Sequence, residues 1–519
     1  MISWLNTAIG LLIYKRGGRI IMEQLTLFEQ SIENYTIENF SANGFCSEKE
    51  RKKLEMYFSN WLEVTEKFNR KSVSYQLSKK DVLHSWLKYK EGFSAELVNI
   101  LLDEMNIHKG QLIMDPFMGA GTTAVVCQTR GINSIGYDVM PTSAVSLNAK
   151  TSVFKYDLSE IRKMITDVWQ LNMPDNFVET TPYITITKDA YPEHTQHYLA
   201  FLTKWREKSH YSDLTKNLLT LSILNSLERI SYTIKSGQYL GWDSRSKKVQ
   251  EENKRRLAVG KDPLSEKYVR PVILDAKSTI LAELEHMARE IELIQTDYSG
   301  ENNAYVQYKI NSVLFELPTL SDNILNGVVT SPPYCNRYDY TRTYALELVY
   351  MGIDEEKLKT MRQDLLSCTV ENKSKIDKLR EFYRNRGIGE RFDYIEGKIR
   401  ENKAFEEIVN ALGARKDNGD LNNSGVVRMV TGYFTELAFV FAELYRICKK
   451  GAMVAFVNDN VRYGGEVIPV DFLSSSFAEQ FGFKVKKIYT IKQKKGNSSQ
   501  QMAKYGKVSL RKSITIWEK

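Results

Sequence analysis

Two short segments of the chain carry residues whose types and spacing suit chemistry. Residues 115–123 read DPFMGAGTT, where glycines let the backbone pass close to a ligand and the next helix presents free N–H groups. Residues 330–334 read TSPPY, where two prolines remove backbone donors and stiffen the chain. A serine hydroxyl and carbonyl oxygens remain there as hydrogen-bond acceptors beside an aromatic ring. This combination suits a flat ring that carries an amino group.

The glycine segment alone leaves more than one kind of site open. A P-loop is excluded because no Gly-Lys-Ser/Thr follows the glycines. A nicotinamide dinucleotide site stays open, since Gly119, Gly121 and Ala124 fit the loose fingerprint and Asp138 ends the next strand as a ribose-binding acid. A tight turn without a ligand is the remaining alternative.

The elements around both segments predict an open α/β sheet. A helical pattern at 90–107 precedes a short apolar run ending at Asp115, a helix after the glycines, and a second apolar run ending at Asp138. A further apolar run, 324–330, leads into TSPPY. In such sheets ligands bind beyond the carboxyl ends of the strands, so both segments are expected at one edge.

The distribution of these elements along the chain predicts one α/β domain interrupted twice. The length of 519 residues allows about three structural units. The expected segments are an N-terminal extension (1–75), a first domain part (76–150), a helical insertion (151–300), a second part with TSPPY (301–351), a second, smaller insertion (352–424) and a third part (425–519). Within the extension, Met22 is an alternative start that would make 1–21 a translated leader.

Together the two motifs resemble the amino-methylating DNA methyltransferases, which act on cytosine N4 or adenine N6 with S-adenosylmethionine. The resemblance extends to residues 84–98, 135–143 and 331–348 and covers roughly 250 residues. It implies a Rossmann-like methyltransferase sheet with helices on both faces. Both insertions and the N-terminal extension lie outside it.

The resemblance assigns roles to individual residues. It implies that Ser331, Pro332, Pro333 and Tyr334 form the catalytic loop. It implies that the cofactor is held by Asp115, Phe117, Gly119, Gly121, Thr122 and Asp138, with Phe93, Lys88 and Asn311 as further contacts. Asn311 departs from the family pattern, which usually has an acid near the adenine.

The chemistry of the catalytic loop favours transfer to an exocyclic amine. Acceptors on Ser331 and the Pro332 carbonyl would make the amine nitrogen more nucleophilic, and Tyr334 would stack on a base flipped out of the duplex. Methylation at cytosine carbon 5 would need a Pro-Cys nucleophile, which the sequence lacks. The serine-first loop resembles the cytosine-N4 enzymes, and adenine N6 is the alternative. A nicotinamide-dependent oxidoreductase and a non-catalytic DNA-binding protein are the alternatives from other classes.

The composition indicates which kinds of protein and which cell compartment are compatible with this chemistry. The five cysteines are scattered without a C-x-x-C pair, which argues against a disulfide framework and a zinc site. No apolar run of membrane-spanning length is apparent in the sequence, so we expect a cytoplasmic protein without a membrane contact.

The positive charge is concentrated at the C-terminal end. The net charge is +8, yet residues 484–519 alone hold eleven Lys and Arg against one acid. We expect Lys492, Lys494 and Lys495 to contact phosphates of double-stranded DNA without reading its sequence. Residues 236–270 and 352–424 both mix aromatic and basic residues, and 352–424 is the favoured region for target recognition.

Two protein partners are expected from resemblance alone. The resemblance to restriction-modification enzymes implies a cognate restriction endonuclease. The segment QLTLF resembles the peptide by which bacterial proteins dock on the replication sliding clamp, with Gln24, Leu25, Leu27 and Phe28 as the contact residues.

Overall fold

The computed structural model describes residues 35–236, 239–264, 272–297, 304–491 and 499–519. Its strands are β1 Leu62–Thr65, β2 Leu112–Asp115, β3 Asn133–Asp138, β4 Thr233–Ser236, β5 Tyr239–Trp242, β6 Val306–Ile310, β7 Leu325–Thr330, β8 Cys448–Asp459, β9 Val461–Tyr463, β10 Glu466–Ile468, β11 Lys484–Ile491 and β12 Lys512–Glu518. The apolar runs that end at Asp115 and Asp138 and the run 324–330 are present as β2, β3 and β7.

The α-helices are numbered in chain order. They are α1 Lys49–Phe58, α2 Ala95–Glu104, α3 Thr122–Thr129, α4 Pro141–Thr151, α5 Leu158–Gln170, α6 Glu193–Lys208, α7 Asp213–Ser226, α8 Lys247–Ala258, α9 Ala276–Asp297, α10 Val313–Glu316, α11 Tyr340–Thr343, α12 Ala345–Tyr350, α13 Glu355–Asp364, α14 Ile376–Asn385, α15 Gly389–Glu401, α16 Lys403–Asp417, α17 Gly425–Ile447, α18 Val470–Gln480 and α19 Ser499–Tyr505.

Eight strands form the central sheet in the order β1-β11-β12-β8-β7-β2-β3-β6. Neighbouring strands run parallel except that β12 is antiparallel to both β11 and β8. The carboxyl ends of β2, β3, β6, β7 and β8 therefore meet at one edge. The predicted α/β fold class is confirmed, with a mostly parallel sheet.

Both faces of the sheet are buried under helices. Successive residues of β2, Ile113 and Met114, lie in two different hydrophobic cores, and so do Val328 and Val329 of β7. This alternation follows from the two-residue period of a strand. One core is completed by α2 and α3, and the other by α17 and α18. The predicted arrangement of helices on both faces is present.

The region expected to be a helical insertion, 151–300, is largely helical in its described parts. Helices α4, α7 and α9 build a separate core, with Leu147, Leu218, Leu221 and Leu284 fully buried. Side chains cap these helices locally: Ser212, for example, accepts a hydrogen bond from the Thr215 backbone N–H at the start of α7. The hairpin of β4 and β5, which the sequence analysis did not predict, packs with Thr233, Lys235 and Leu240 buried.

The N-terminal region contributes a strand that the sequence analysis did not predict. Strand β1 pairs in parallel with β11 and forms an edge of the central sheet. Helix α1 is held by a buried ion-pair group, because Arg511 binds Glu55 of α1 through two nitrogens and Asp471 of α18 at 2.8 Å. Residues 35–65 are thus packed into the α/β body.

Helix α17 is long and apolar enough to cross a membrane by length and composition, which the sequence analysis did not anticipate. Its apolar residues are buried against the sheet and against α14–α16, with Phe434, Leu437 and Phe441 fully buried. Burial in the protein core accounts for this composition, since a helix that is hydrophobic all round is expected inside a large domain.

Candidate active site

The two motif segments meet at the ends of neighbouring strands. Asp115 ends β2, Thr330 ends β7, and these strands pair in parallel. The Thr330 hydroxyl donates a hydrogen bond to Asp115 Oδ1 at 2.8 Å, and the Thr123 hydroxyl donates to Asp115 Oδ2 at 2.9 Å. One carboxylate therefore ties the glycine loop, the start of α3 and the base of the TSPPY loop together.

A cleft of about 740 Å³, which includes space open to solvent, lies beyond these strand ends. The predicted residues that line it are Phe93, Asp115, Phe117, Gly119, Thr122, Asp138, Asn311, Ser331 and Pro333. Residues of the glycine segment and of the TSPPY loop thus face one shared space.

Glycines in the loop are required by close packing and by backbone conformation. Gly119 has φ +51°, and a Cβ atom there would lie 2.8 Å from the ring of Tyr89. Gly121 has φ +84°, and a Cβ atom there would lie 2.6 Å from the side chain of Leu147. Both conformations are costly for residues with a side chain. Gly121 immediately precedes α3 and does not line the cleft, so its position supports the turn.

Asp138 is held in place by two backbone N–H groups. Its carboxylate accepts hydrogen bonds from Gly119 at 2.8 Å and from Met140 at 2.7 Å. It stands at the end of β3, opposite the glycine loop, and lines the cleft. The position suits a carboxylate that receives hydroxyl groups of a ribose.

The electrostatic character of the cleft is acidic. Its described lining contains the carboxyls of Glu91, Asp115, Asp138 and Asp364 and no basic side chain. Burial raises the pKa of Asp115 and of Asp138 to about 6, and it also raises the pKa of Glu91 and Asp364. A cationic ligand would stabilise the ionised carboxylates, whereas an anionic pyrophosphate would be repelled. These carboxylate acceptors therefore fit a sulfonium cofactor with ribose hydroxyls and an α-ammonium group.

We expect the affinity for S-adenosylmethionine to fall as the pH drops below about 6. A raised pKa means that the carboxyls gain protons at a higher pH than usual, and the protonated forms lose their attraction for a cation. Each fully linked proton would weaken binding about tenfold per pH unit below the pKa. Calorimetric titration between about pH 5 and pH 8 measures this effect. Asp138→Asn should weaken binding at high pH and flatten the profile, and a constant affinity for the unmodified protein would contradict the expectation.

Of the three further cofactor contacts that the resemblance implies, two line the cleft and one does not. Phe93 is buried in the cleft wall. Lys88 does not line the cleft, because its ammonium group pairs with Glu228 of the helical block at 2.7 Å. Asn311 lines the cleft, where its amide donates to Glu316 and its carbonyl accepts from the Ser312 backbone N–H at 2.9 Å.

The cleft also contains residues that the sequence analysis missed. Glu91 accepts a hydrogen bond from the Tyr344 hydroxyl at 2.7 Å, behind the cofactor side of the cleft. It belongs to the KEGF segment that contains Phe93, so the same segment could have indicated it. Asp364, Leu365 and Leu366 come from the region expected to be the second insertion, and no motif marked them.

The TSPPY loop is rigid and mostly buried. Pro332 and Pro333 are buried, and Ser331 and Tyr334 are partly exposed. The Ser331 hydroxyl donates a hydrogen bond to the Tyr334 hydroxyl at 3.1 Å. The next residue, Cys335, is fully buried, and burial raises its pKa well above the usual value. It is therefore not placed as a nucleophile.

Several predicted contacts lie outside the described residues. These are Lys492, Lys494 and Lys495 of the basic segment and Gln24, Leu25, Leu27 and Phe28 of the clamp-like peptide. The described chain on the far side of the basic segment does reach the TSPPY loop, where Lys512 Nζ lies 3.4 Å from the Tyr334 hydroxyl oxygen.

Comparison with known proteins agrees with this geometry. Residues 16–146 match a family model described as DNA methylase, for N6 and N4 methyltransferases. The type II methyltransferase M.BsoBI of Geobacillus stearothermophilus is 49% identical over 491 residues, which cover 95% of this chain and 96% of that protein. The type II methyltransferase M.AvaI of Anabaena variabilis is 35% identical over 489 residues, covering 92% and 95% of the two chains. No solved structure matches the chain.

The chain belongs to the amino-methylating N6/N4 DNA methyltransferase family. It is a site-specific DNA methyltransferase that uses S-adenosylmethionine. The predictions of family, fold class and cofactor are thereby confirmed. The alternatives of a nicotinamide-dependent oxidoreductase and a non-catalytic DNA-binding protein are set aside.

Proposed function

We propose that this protein methylates the N4 amine of cytosine within a short site in duplex DNA. The observation that carries the proposal is the serine-first TSPPY loop at the end of β7, which faces the acidic cleft. Within this family, a catalytic loop that begins with serine resembles the loops of the enzymes that methylate cytosine N4. Adenine N6 is the second candidate, because adenine also presents an exocyclic amine beside a ring nitrogen.

The loop residues would act on the amine by accepting hydrogen bonds. The nitrogen lone pair of an aromatic amine is delocalised into the ring. Acceptors on Ser331 and on the Pro332 carbonyl would favour a more tetrahedral nitrogen with a more available lone pair. Tyr334 would stack on the base, which must leave the duplex to reach the loop.

S-adenosylmethionine would supply a methyl group from its sulfonium: the C–S bond would break as the N–C bond forms, a neutral thioether would leave, and the amine would release one N–H proton to solvent. Asp115 and Asp138 would hold the cofactor by their carboxylates and by the glycine loop that these carboxylates fix. The protein's contribution is alignment of the two reacting atoms in the cleft, without a covalent protein intermediate.

Nucleoside mass spectrometry of host DNA tests the choice of base. The protein is expressed in a host that lacks its own amino-methyltransferases, beside a Ser331→Ala control. We expect N4-methylcytosine with the unmodified protein and none with the control. N6-methyladenine alone would overturn the cytosine proposal in favour of the second candidate, and unmodified DNA from folded protein would overturn both.

Residues 352–424 are our proposed target-recognition region. The proposal is supported by contacts between this region and the chain that follows TSPPY. Arg337 donates to the side-chain amide oxygen of Asn422 at 2.9 Å, and Arg362 Nε donates to the Thr341 hydroxyl at 3.1 Å. A region that reads DNA must present bases next to the catalytic loop. Residues 236–270 remain the alternative region.

Replacing Lys492, Lys494 and Lys495 together with Gln should weaken binding to every DNA duplex, whatever its sequence. Each lost phosphate contact should reduce the slope of log affinity against log salt by about 0.9. Fluorescence anisotropy across salt concentrations measures this slope. Lys49, Lys52 and Lys53 of α1 provide a matched triple control that should leave the slope unchanged. A change in site preference instead would show that these lysines contribute to base reading.

The biological setting follows from the same proposal. We place the enzyme in the bacterial cytoplasm as the modification half of a restriction-modification pair, with a cognate endonuclease that cleaves the same unmodified site. Docking on the sliding clamp through residues 24–28 is a separate hypothesis. A pull-down with purified clamp tests it, and equal capture of the unmodified protein and a Leu27→Ala, Phe28→Ala variant would contradict it.

A further inference from the structure

The direction of the Ser331 hydroxyl matters for the proposed chemistry. A hydroxyl carries one proton and two lone pairs, so it can accept from the target amine only when its proton points elsewhere. In the structure this proton is directed to the Tyr334 oxygen, 3.1 Å away. The lone pairs of the Ser331 oxygen can then accept hydrogen bonds from a group in the cleft, which Ser331 lines.

The Tyr334 oxygen is in turn contacted by a lysine from another strand. Lys512 Nζ lies 3.4 Å from this oxygen and 4.9 Å from the centroid of the Tyr334 ring. An ammonium group only donates hydrogen bonds, so the phenol oxygen accepts on the side facing Lys512. These two contacts hold the phenol oxygen in place at the position where Ser331 donates to it.

Lys512 is held rigidly beneath the loop. It is the first residue of β12 and lies opposite Asp459 in the antiparallel register with β8. Its ammonium group pairs with Asp459 Oδ1 at 3.0 Å, and its side chain is only 14% exposed. A lysine placed for phosphate contact would extend into solvent, whereas this lysine is fixed by strand pairing and by an ion pair.

We propose that Lys512 is a positioning residue for methyl transfer, which acts through Tyr334 to keep the Ser331 proton turned away from the target amine. This deepens the proposed function and rests on it, since it requires Ser331 to be the acceptor. Lys512 also covers one face of the Tyr334 ring, which leaves the other face for the base. Two hydrogen bonds, Ser331 to Tyr334 and Lys512 to Tyr334, and the Lys512–Asp459 ion pair connect the loop to the sheet.

Single-turnover methyl transfer with saturating cofactor and DNA tests the proposal. Tyr334→Phe keeps the ring and removes the oxygen, and it should lower the rate about tenfold to a hundredfold. Lys512→Met should lower the rate about tenfold, and Lys512→Arg, which keeps a cationic donor, should recover most of it. In the Tyr334→Phe background, Lys512→Met should have little further effect, because the oxygen through which it acts is absent.

Three controls separate positioning from a role in folding or in DNA binding. Thermal melting confirms that the variants are folded, and anisotropy should give unchanged DNA affinity for Lys512→Met. Lys486→Met removes the same charge from β11, where the lysine pairs with Glu518 at 2.9 Å, and it should leave the rate unchanged.

Three results would overturn the positioning role. They are an unchanged rate for Lys512→Met, effects of Tyr334→Phe and Lys512→Met that multiply in the double variant, and a loss for Lys512→Met that is confined to DNA affinity. If the unmodified enzyme forms no methylated amine, the proposed function itself fails. If it does and Lys512→Met keeps the full rate, only the positioning role fails.

Discussion

Ser331→Ala is expected to lower the single-turnover rate of methyl transfer about 100- to 1000-fold, because one hydrogen bond that strengthens in the transition state is lost. Ser331 lines the cleft without contacting Asp138, so the affinity for S-adenosylmethionine should stay unchanged. Rapid quench with labelled cofactor measures the rate, and calorimetry measures the affinity.

Ser59→Ala is a matched control for this substitution. Ser59 lies at the end of α1, where its hydroxyl donates to the Met56 carbonyl on the protein surface. This variant should keep the full rate. A Ser331→Ala rate within about threefold of the unmodified rate, a difference of less than 1 kcal/mol in activation free energy, would contradict the acceptor role of Ser331.

Arg511→Met is expected to have the largest effect on stability, about 3–5 kcal/mol of unfolding free energy. Arg511 is fully buried and neutralises two buried carboxylates, Glu55 and Asp471. It also donates to the Tyr35 carbonyl at 2.8 Å. Removing the guanidinium leaves both carboxylates in the interior without a counter-charge. Urea unfolding, followed by fluorescence, measures the loss.

An exposed ion pair provides the control for Arg511. Lys403 pairs with Glu406 at 3.0 Å, and both side chains are more than half exposed. Lys403→Met should change stability by less than about 0.5 kcal/mol, because solvent already screens such pairs. Adding Glu55→Gln and Asp471→Asn to the Arg511→Met protein removes the two unpaired charges. This triple variant should recover part of the lost unfolding free energy. An Arg511→Met loss below about 1 kcal/mol would contradict the importance of this buried group.

The parts of the fold that could be predicted from the sequence are those specified locally. Strand β2, the glycine loop, α3 and β3 follow from apolar runs interrupted by Gly119 and Gly121, and the structure has them within a few residues. Family motifs also located Asp115, Asp138 and Ser331, which line one cleft. Local patterns suffice to predict these elements because each is long enough, or is bounded clearly enough by glycines, to be recognised in the sequence.

The remaining parts depend on contacts that are distant in sequence. Strand β1 has only four residues, and its pairing with β11 more than 400 positions away makes it a strand. Asp364 reaches the cleft only because the second inserted region folds back over it. Nothing in the sequence distinguishes the buried Arg511 from a surface arginine, and the partner of Tyr334, Lys512, becomes visible only once β12 is paired with β8.

Methyl transfer by the purified protein tests the central claim most directly. Duplex DNA that contains its modification sites is incubated with S-adenosylmethionine carrying a deuterated methyl group, and the digested nucleosides are analysed by mass spectrometry. The account predicts a deuterated methyl group on the exocyclic nitrogen of cytosine, and its absence with Ser331→Ala. A deuterated methyl group on adenine N6 alone or on cytosine carbon 5, or no labelled nucleoside from folded, cofactor-binding protein, would contradict it.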